Sequence, residues 1–99
     1  FFGAVGSLGA AHEQIAQAPR AFVLDISSVP FIDASGARSI ELLAHRLQRR
    51  GGKLYVAGAS RAVRRSLMVY GVRRPTVSFR ATVASAVAAA GAGPVGVAG

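Results

Sequence analysis

Residues 22–47 read FVLDISSVPFIDASGARSIELLAHRL, a short apolar run followed by a turn and then by apolar residues at helical spacing. The nearly continuous apolar run within 20–27 predicts a strand that is buried on both faces. Val29-Pro30 predicts a turn, because the residue before a proline is pushed out of the helical region. A helix is expected over 36–50, and Gly51-Gly52 would end it. The apolar positions that indicate this helix are Ala37, Ile40, Ala44 and Leu47.

The rest of the chain alternates in the same way between helical and strand patterns. Strands are predicted over 53–58 and 76–79, and helices over 4–18, 60–71 and 81–90. Ser60 is the expected N-cap of its helix. Alternation at this spacing implies an α/β fold with a largely parallel sheet. In the helix after Ser60, the residues expected to face inward are Val63, Leu67 and Tyr70, and those expected to face outward are Arg61, Arg64 and Arg65.

Length and composition indicate one domain followed by a tail. Ninety-nine residues provide enough chain for one modest core. Residues 81–99 carry no charge, but they are mostly alanine and contain four glycines and a proline, so insertion into a bilayer would gain little. We therefore expect a helix that ends at Gly91 and a flexible tail over 91–99. The absence of cysteine excludes disulfides and cysteine-based zinc sites.

Charge is distributed unevenly along the chain. Residues 1–45 carry a net charge of −2, from two arginines against four acids, whereas residues 46–80 hold ten basic residues and no acid. A basic half suggests an anionic neighbour such as nucleic acid, an acidic protein surface or lipid head groups, although a solvated face without a partner has the same composition. Nucleic acid is disfavoured, because the aromatic residues do not interleave with the arginines. The basic surface is assigned to Arg61, Arg64 and Arg65.

The chain offers little for catalysis or metal binding. His12 and His45 fall in different predicted helices, and no third ligand is spaced for a metal ion. Ser35 lacks the G-x-S-x-G surroundings of a hydrolase nucleophile. Residues 91–96 match G-x-G-x-x-G literally, but they follow a helix and precede none, so the match carries no dinucleotide site. We expect no catalytic residue and no bound metal.

An acid, a hydroxyl and a glycine meet where the first predicted strand gives way to the helix over 36–50. Backbone N–H groups are unpaired at a helix N-terminus, and the helix dipole favours negative charge there. Either Asp33 or Ser35 would therefore serve as the helix cap. A phosphate on Ser35 would also be stabilised at this place, and its charge would change what can dock. Position alone favours the cap.

Four stretches of the sequence resemble the STAS domain, which occurs in sulfate transporters and in anti-sigma factor antagonists. The most specific is the D-x-[ST]-G motif, met here by Asp33, Ser35 and Gly36. The resemblance covers about residues 1–90 and implies an α/β fold with a small, mainly parallel, mixed sheet and about four helices packed on one side. The first strand of the family is apparently missing. The stretches are FFGA (1–4), VLDIS (23–27), VPFIDASG (29–36) and GGKLYVAG (51–58).

Two of these stretches, FFGA and VPFID, look most like the SulP anion-transporter branch. The resemblance then implies a non-catalytic regulatory and protein-interaction domain on the cytoplasmic side of the membrane. Its partner would be the membrane domain of the transporter or a cytosolic regulatory protein, and its basic surface would suit anionic lipid. The residues expected at the docking surface are Asp33, Ser35, Gly36, Arg38 and Ser39.

The other branch gives the alternative function. A free-standing anti-sigma factor antagonist would bind a partner kinase, and phosphorylation of the motif hydroxyl, here Ser35, would release it. No cofactor is expected, since nucleotide binding rests on the family resemblance alone. Membrane spans encoded upstream of Phe1 would favour the transporter branch.

Overall fold

The computed structural model describes residues 21–91 and 95–99, so the helix predicted over 4–18 lies outside the described residues. The described strands lie in the order β3-β2-β1-β4, and each neighbouring pair is parallel. The predicted α/β class is confirmed. The elements in chain order are β1 (Ala21–Asp25), α1 (Ala34–Arg49), β2 (Lys53–Ala57), α2 (Arg61–Val69), β3 (Val77–Arg80), α3 (Val83–Ala90) and β4 (Val95–Ala98).

β1 lies in the middle of the sheet and is buried on both faces, as its apolar run predicts. Its backbone pairs with β2 on one edge, where Phe22 is opposite Leu54, and with β4 on the other. Successive side chains of a strand point to opposite faces. Phe22 and Leu24 accordingly belong to one core, whereas Ala21 and Val23 belong to a second.

The larger core lies between the sheet and the helices α1 and α2. All four positions that indicated α1 from their spacing are buried, so this prediction is confirmed. Val63 and Leu67 of α2 are fully buried against the same core. Each buried aliphatic or aromatic side chain contributes about 1.5–3 kcal/mol relative to its exposed state. This face therefore holds most of the apolar burial that stabilises the described domain.

The smaller core lies on the opposite face and is covered by α3. Ala86 of α3 packs there with Val23 and Tyr55, and the Tyr55 hydroxyl donates to the backbone oxygen of Ala89 at 3.4 Å. The expectation that the helices pack on one side is therefore wrong for α3. Because β1 and β2 present apolar side chains on both faces, the second face also has to be covered. An alanine-rich helix has small side chains that allow this close approach.

The tail prediction is wrong for Val95–Ala98, which form strand β4. Ala21 of β1 lies opposite Val95, and Val23 lies opposite Val97. The glycine- and alanine-rich composition hid this strand, but a buried strand such as β1 requires partners for its backbone groups on both edges. Within the described residues, none of the helices combines the length and the apolar character that crossing a membrane would require.

The ends of α2 match the sequence in part. Ser60 is its N-cap, as predicted, and the hydroxyl accepts a hydrogen bond from the Val63 N–H at 3.1 Å. Tyr70 was expected to face inward, but it is 47% exposed. The helix ends at Val69, so helical spacing no longer directs Tyr70. Val72 is buried instead, and its N–H donates to the Leu67 oxygen at 2.8 Å.

Gly58 follows β2 with a φ of +76°, and a Cβ atom there would lie 2.8 Å from the Ser27 Cβ. Gly51 has the same φ and nothing within 4 Å of such an atom. We expect Gly51→Ala to lower the free energy of unfolding by about 1 kcal/mol, from backbone strain alone. Gly58→Ala should cost about 1–3 kcal/mol more, because it adds steric overlap. Urea unfolding measures both changes, and equal losses would contradict this account.

Candidate functional site

Asp33 is the cap of the helix that carries the D-x-S-G motif. Its backbone is extended, with φ −102° and ψ 179°, and its Oδ1 accepts a hydrogen bond from the Gly36 N–H at 2.8 Å. Of the two capping candidates, the structure therefore selects Asp33. Asp33 lies at the end of the turn that connects β1, in the middle of the sheet, to α1. The motif is thus anchored to the best-buried element of the described fold.

Ser35 lies in the first turn of α1, with its side chain exposed to solvent. Among the described residues, no hydrogen bond is made by its hydroxyl, whereas its backbone oxygen accepts one from the Ser39 Oγ at 3.1 Å. The first turn contains no acidic residue. A negative group on Ser35 would therefore meet the positive end of the helix dipole, which the Asp33 carboxylate also faces as the N-cap.

The remaining residues expected at the docking surface differ in exposure. Arg38 is exposed, and its guanidinium donates to the Glu41 carboxylate at 2.7 Å. Ser39 is half-buried, and its hydroxyl is directed to the helix backbone. Gly36 is buried, so it contributes to the site only through its backbone N–H, which donates a hydrogen bond to the Asp33 carboxylate. Docking through these residues stays a prediction.

Two exposed apolar side chains lie beside the motif, and the sequence analysis missed both. Phe31 is 63% exposed just before the cap, and Leu42 is 45% exposed two helical turns after Ser35. The exposure of Leu42 could have been predicted from the sequence, because Leu42 lies outside the apolar spacing that defines the buried face of α1. We call the exposed side chains of Phe31, Asp33, Ser35, Arg38 and Leu42 the α1 surface.

The basic residues form a separate surface on α2. Arg61, Arg64 and Arg65 are exposed, as their helical spacing predicts. Within residues 21–91 and 95–99, none of these three arginines forms an ion pair with a carboxylate. The α2 arginines therefore remain available to an anionic neighbour.

The α1 surface is suited to recognition and to modification. The Asp33 carboxylate is engaged by the Gly36 N–H, so it is not directed at the Ser35 hydroxyl as a base. Over residues 21–91 and 95–99, no cluster of three histidine, aspartate or glutamate side chains is close enough to hold a metal ion. A hydroxyl exposed at a helix N-terminus can accept a phosphate, and the flanking apolar side chains can contact a protein.

Comparison with known proteins finds one family and two informative structures. The family model of the STAS domain matches residues 1–86. A serine-to-glutamate variant of RsbS from Moorella thermoacetica superposes with a TM-score of 0.73 at 16% identity, covering 88% of this chain and 82% of that one. SLC26A9 superposes with a TM-score of 0.65 at 20% identity, covering 86% of this chain but only 15% of that one. These likenesses concern the fold. No curated protein matches the sequence.

The cap can be tested without a partner. Asp33→Ala should lower the free energy of unfolding by about 1 kcal/mol, because the Gly36 N–H loses its acceptor. Asp33→Asn keeps an oxygen in place and should restore most of that loss. Ser35→Asp should raise the free energy of unfolding by about 0.5 kcal/mol, since it adds negative charge at the helix N-terminus. Urea unfolding of the three variants checks these values, and an asparagine as costly as the alanine would argue against the cap.

Proposed function

The chain belongs to the STAS domain family, and on that basis we propose that it is a non-catalytic protein-interaction domain that regulates a SulP-type anion transporter from the cytoplasmic side of the membrane. The observation that carries the proposal is the α1 surface. Phe31 and Leu42 expose apolar area on either side of the motif, and an exposed apolar patch with a polar rim is typical of a protein contact.

The transporter context is supported by the similarity to SLC26A9, in which a unit of this size makes up 15% of a much longer chain. We propose that the α1 surface contacts the membrane domain of such a transporter or a cytosolic regulatory protein. Because Gly36 is buried and the Ser39 hydroxyl is bonded to the helix backbone, the contact is assigned to the side chains of Asp33, Ser35 and Arg38, together with the two apolar residues. Arg61 and Arg65 of α2 would face anionic lipid head groups, which attract basic residues by about 1 kcal/mol each.

A second function is favoured by the exposure of the Ser35 hydroxyl. RsbS, the anti-sigma factor antagonist among the structural neighbours, aligns over 82% of its length. In this alternative the chain binds a kinase through the α1 surface, and phosphorylation of Ser35 releases it. The phosphate would add a charge of about −2 between two apolar contact residues, so it would oppose docking while it stabilises the helix.

The transporter proposal predicts a loss of anion uptake when the α1 surface is changed. In the full-length transporter, Leu42→Glu should lower uptake of radiolabelled sulfate by about 5-fold or more, because a buried contact would then hold an unpaired charge. Ala84→Glu is the matched control, since it adds the same charge to an exposed position of α3 on the other face of the sheet. A full-length protein without membrane spans, or equal uptake in the two variants, would refute the proposal.

The alternative predicts a phosphate on Ser35. After incubation with the partner kinase and ATP, mass spectrometry should find the modification on Ser35 and not on Ser39, whose hydroxyl is half-buried and hydrogen-bonded. Ser35→Asp should weaken the complex with the kinase by about 10-fold or more, whereas Ser35→Ala should keep it. If the complex with the kinase forms equally well with Ser35→Asp, release by phosphorylation of Ser35 is refuted.

A further inference from the structure

A groove lies along the outer edge of β3, and none of the residues of the α1 surface lines it. Helix α2 contributes Arg64 and Met68 to the groove, and the turn before β3 contributes Arg74. β3 itself contributes Phe79 and Arg80. Arg64 belongs to the basic surface that its helical spacing predicts, whereas no role was predicted for the strand edge that Arg64 adjoins.

The groove is lined by basic residues without a carboxylate among them. Lys53 joins Arg64, Arg74 and Arg80 in the lining, and no aspartate or glutamate contributes to it. Within the described residues, none of these four cations has an ion-pair partner. Lys53 is placed over the Tyr55 ring, 5.4 Å from its centroid. Four uncompensated positive charges make the groove complementary to a ligand that carries several negative charges.

The backbone of β3 offers hydrogen bonds at Phe79, one of the residues that line the groove. β3 is the outermost strand of the described sheet on this side. The Arg80 oxygen accepts from the Gly58 N–H at 3.1 Å, so the backbone groups of Arg80 are directed inward. Those of the preceding residue, Phe79, are directed to the open edge, because successive residues of a strand alternate. No described residue pairs with them. An added strand would satisfy them.

The shape and charge of the groove select among the possible occupants. Met68 is 41% exposed and Phe79 is half-buried, so an apolar side chain of an incoming chain has a surface to contact. A second copy of β3 would bring arginines against arginines, and like charges on adjacent strands repel. A bilayer surface presents anionic head groups, but it provides no backbone donors or acceptors for the strand edge. An acidic polypeptide in an extended conformation would supply negative charge for the arginines, an apolar side chain for Met68 and Phe79, and backbone groups for the strand edge.

We propose that the β3 groove binds an extended, acidic segment of another protein, which adds to the sheet as a strand beside β3. The carboxylates of the segment pair with the arginines of the groove, and an apolar residue between them contacts Met68 and Phe79. The pairing is short, because β3 has four residues, so charge supplies much of the attraction. This site uses no residue of the α1 surface, and it does not depend on the function proposed above.

The probe for this test is a fluorescein-labelled peptide of four Glu-Val repeats with blocked ends. Fluorescence anisotropy should show binding to the chain that weakens as salt is raised. Arg64→Glu and Arg80→Glu should each weaken binding by about 10-fold or more. Arg61→Glu is the matched control, because it changes the net charge equally on the same helix but does not line the groove, and it should weaken binding by less than about 2-fold.

Two further peptides separate strand addition from attraction by charge alone. A Gln-Val peptide should bind at least about 10-fold more weakly, and a Glu-Val peptide with alternate amides N-methylated should lose binding, since it lacks strand donors. The Phe79 amide should shift in NMR spectra on addition of the Glu-Val peptide. Equal binding of the N-methylated peptide, or an equal effect of Arg61→Glu, would overturn the proposal. So would binding to phosphatidylserine vesicles through Arg64 and Arg80 with none to the Glu-Val peptide.

Discussion

The described fold depends on the burial of residues 21–24 of β1 on both faces of the sheet. Phe22 and Leu24 fill one core and Val23 the other, while both backbone edges are paired, with β2 and with β4. A strand in this position cannot leave either face to water, because exposed apolar area costs about 25 cal/mol per Å². Two layers of helix follow from that constraint, with α1 and α2 on one face and α3 on the other. The D-x-S-G motif is fixed because it connects this strand to α1.

A rigid anchor of this kind leaves the exposed side chains free to define function. The Asp33 carboxylate, the one acid of the motif, accepts a hydrogen bond from the Gly36 N–H. Among the described residues, the Ser35 hydroxyl therefore has no hydrogen-bond partner. The nearby Phe31 and Leu42 keep much of their side-chain area exposed to solvent. Function therefore depends on contacts made outside the core.

The two proposed surfaces differ in charge because the two parts of the sequence differ. Every acid of the chain falls within residues 1–45, and residues 46–80 hold ten of the twelve basic residues. The fold converts this linear asymmetry into a spatial one. The α1 surface combines apolar and polar groups, whereas Arg64, Arg74 and Arg80 converge on the β3 groove from separate elements.

The sequence by itself determined the α/β alternation, the buried face of α1 and the Ser60 cap, because each depends on periodicity or on a local hydrogen bond. It left the choice of cap between Asp33 and Ser35 open, since both residue types accept from a helix N–H. The predictions from sequence were wrong for the inward orientation of Tyr70, for the flexible tail where β4 forms, and for the face of the sheet that α3 covers. Only the tertiary structure decided the position of Tyr70, the presence of β4 and the face that α3 covers. Each of them depends on which backbone edge of β1 still needs a partner or which apolar face still needs to be covered. The groove at β3 belongs with them, as its residues meet only through strand pairing and helix packing.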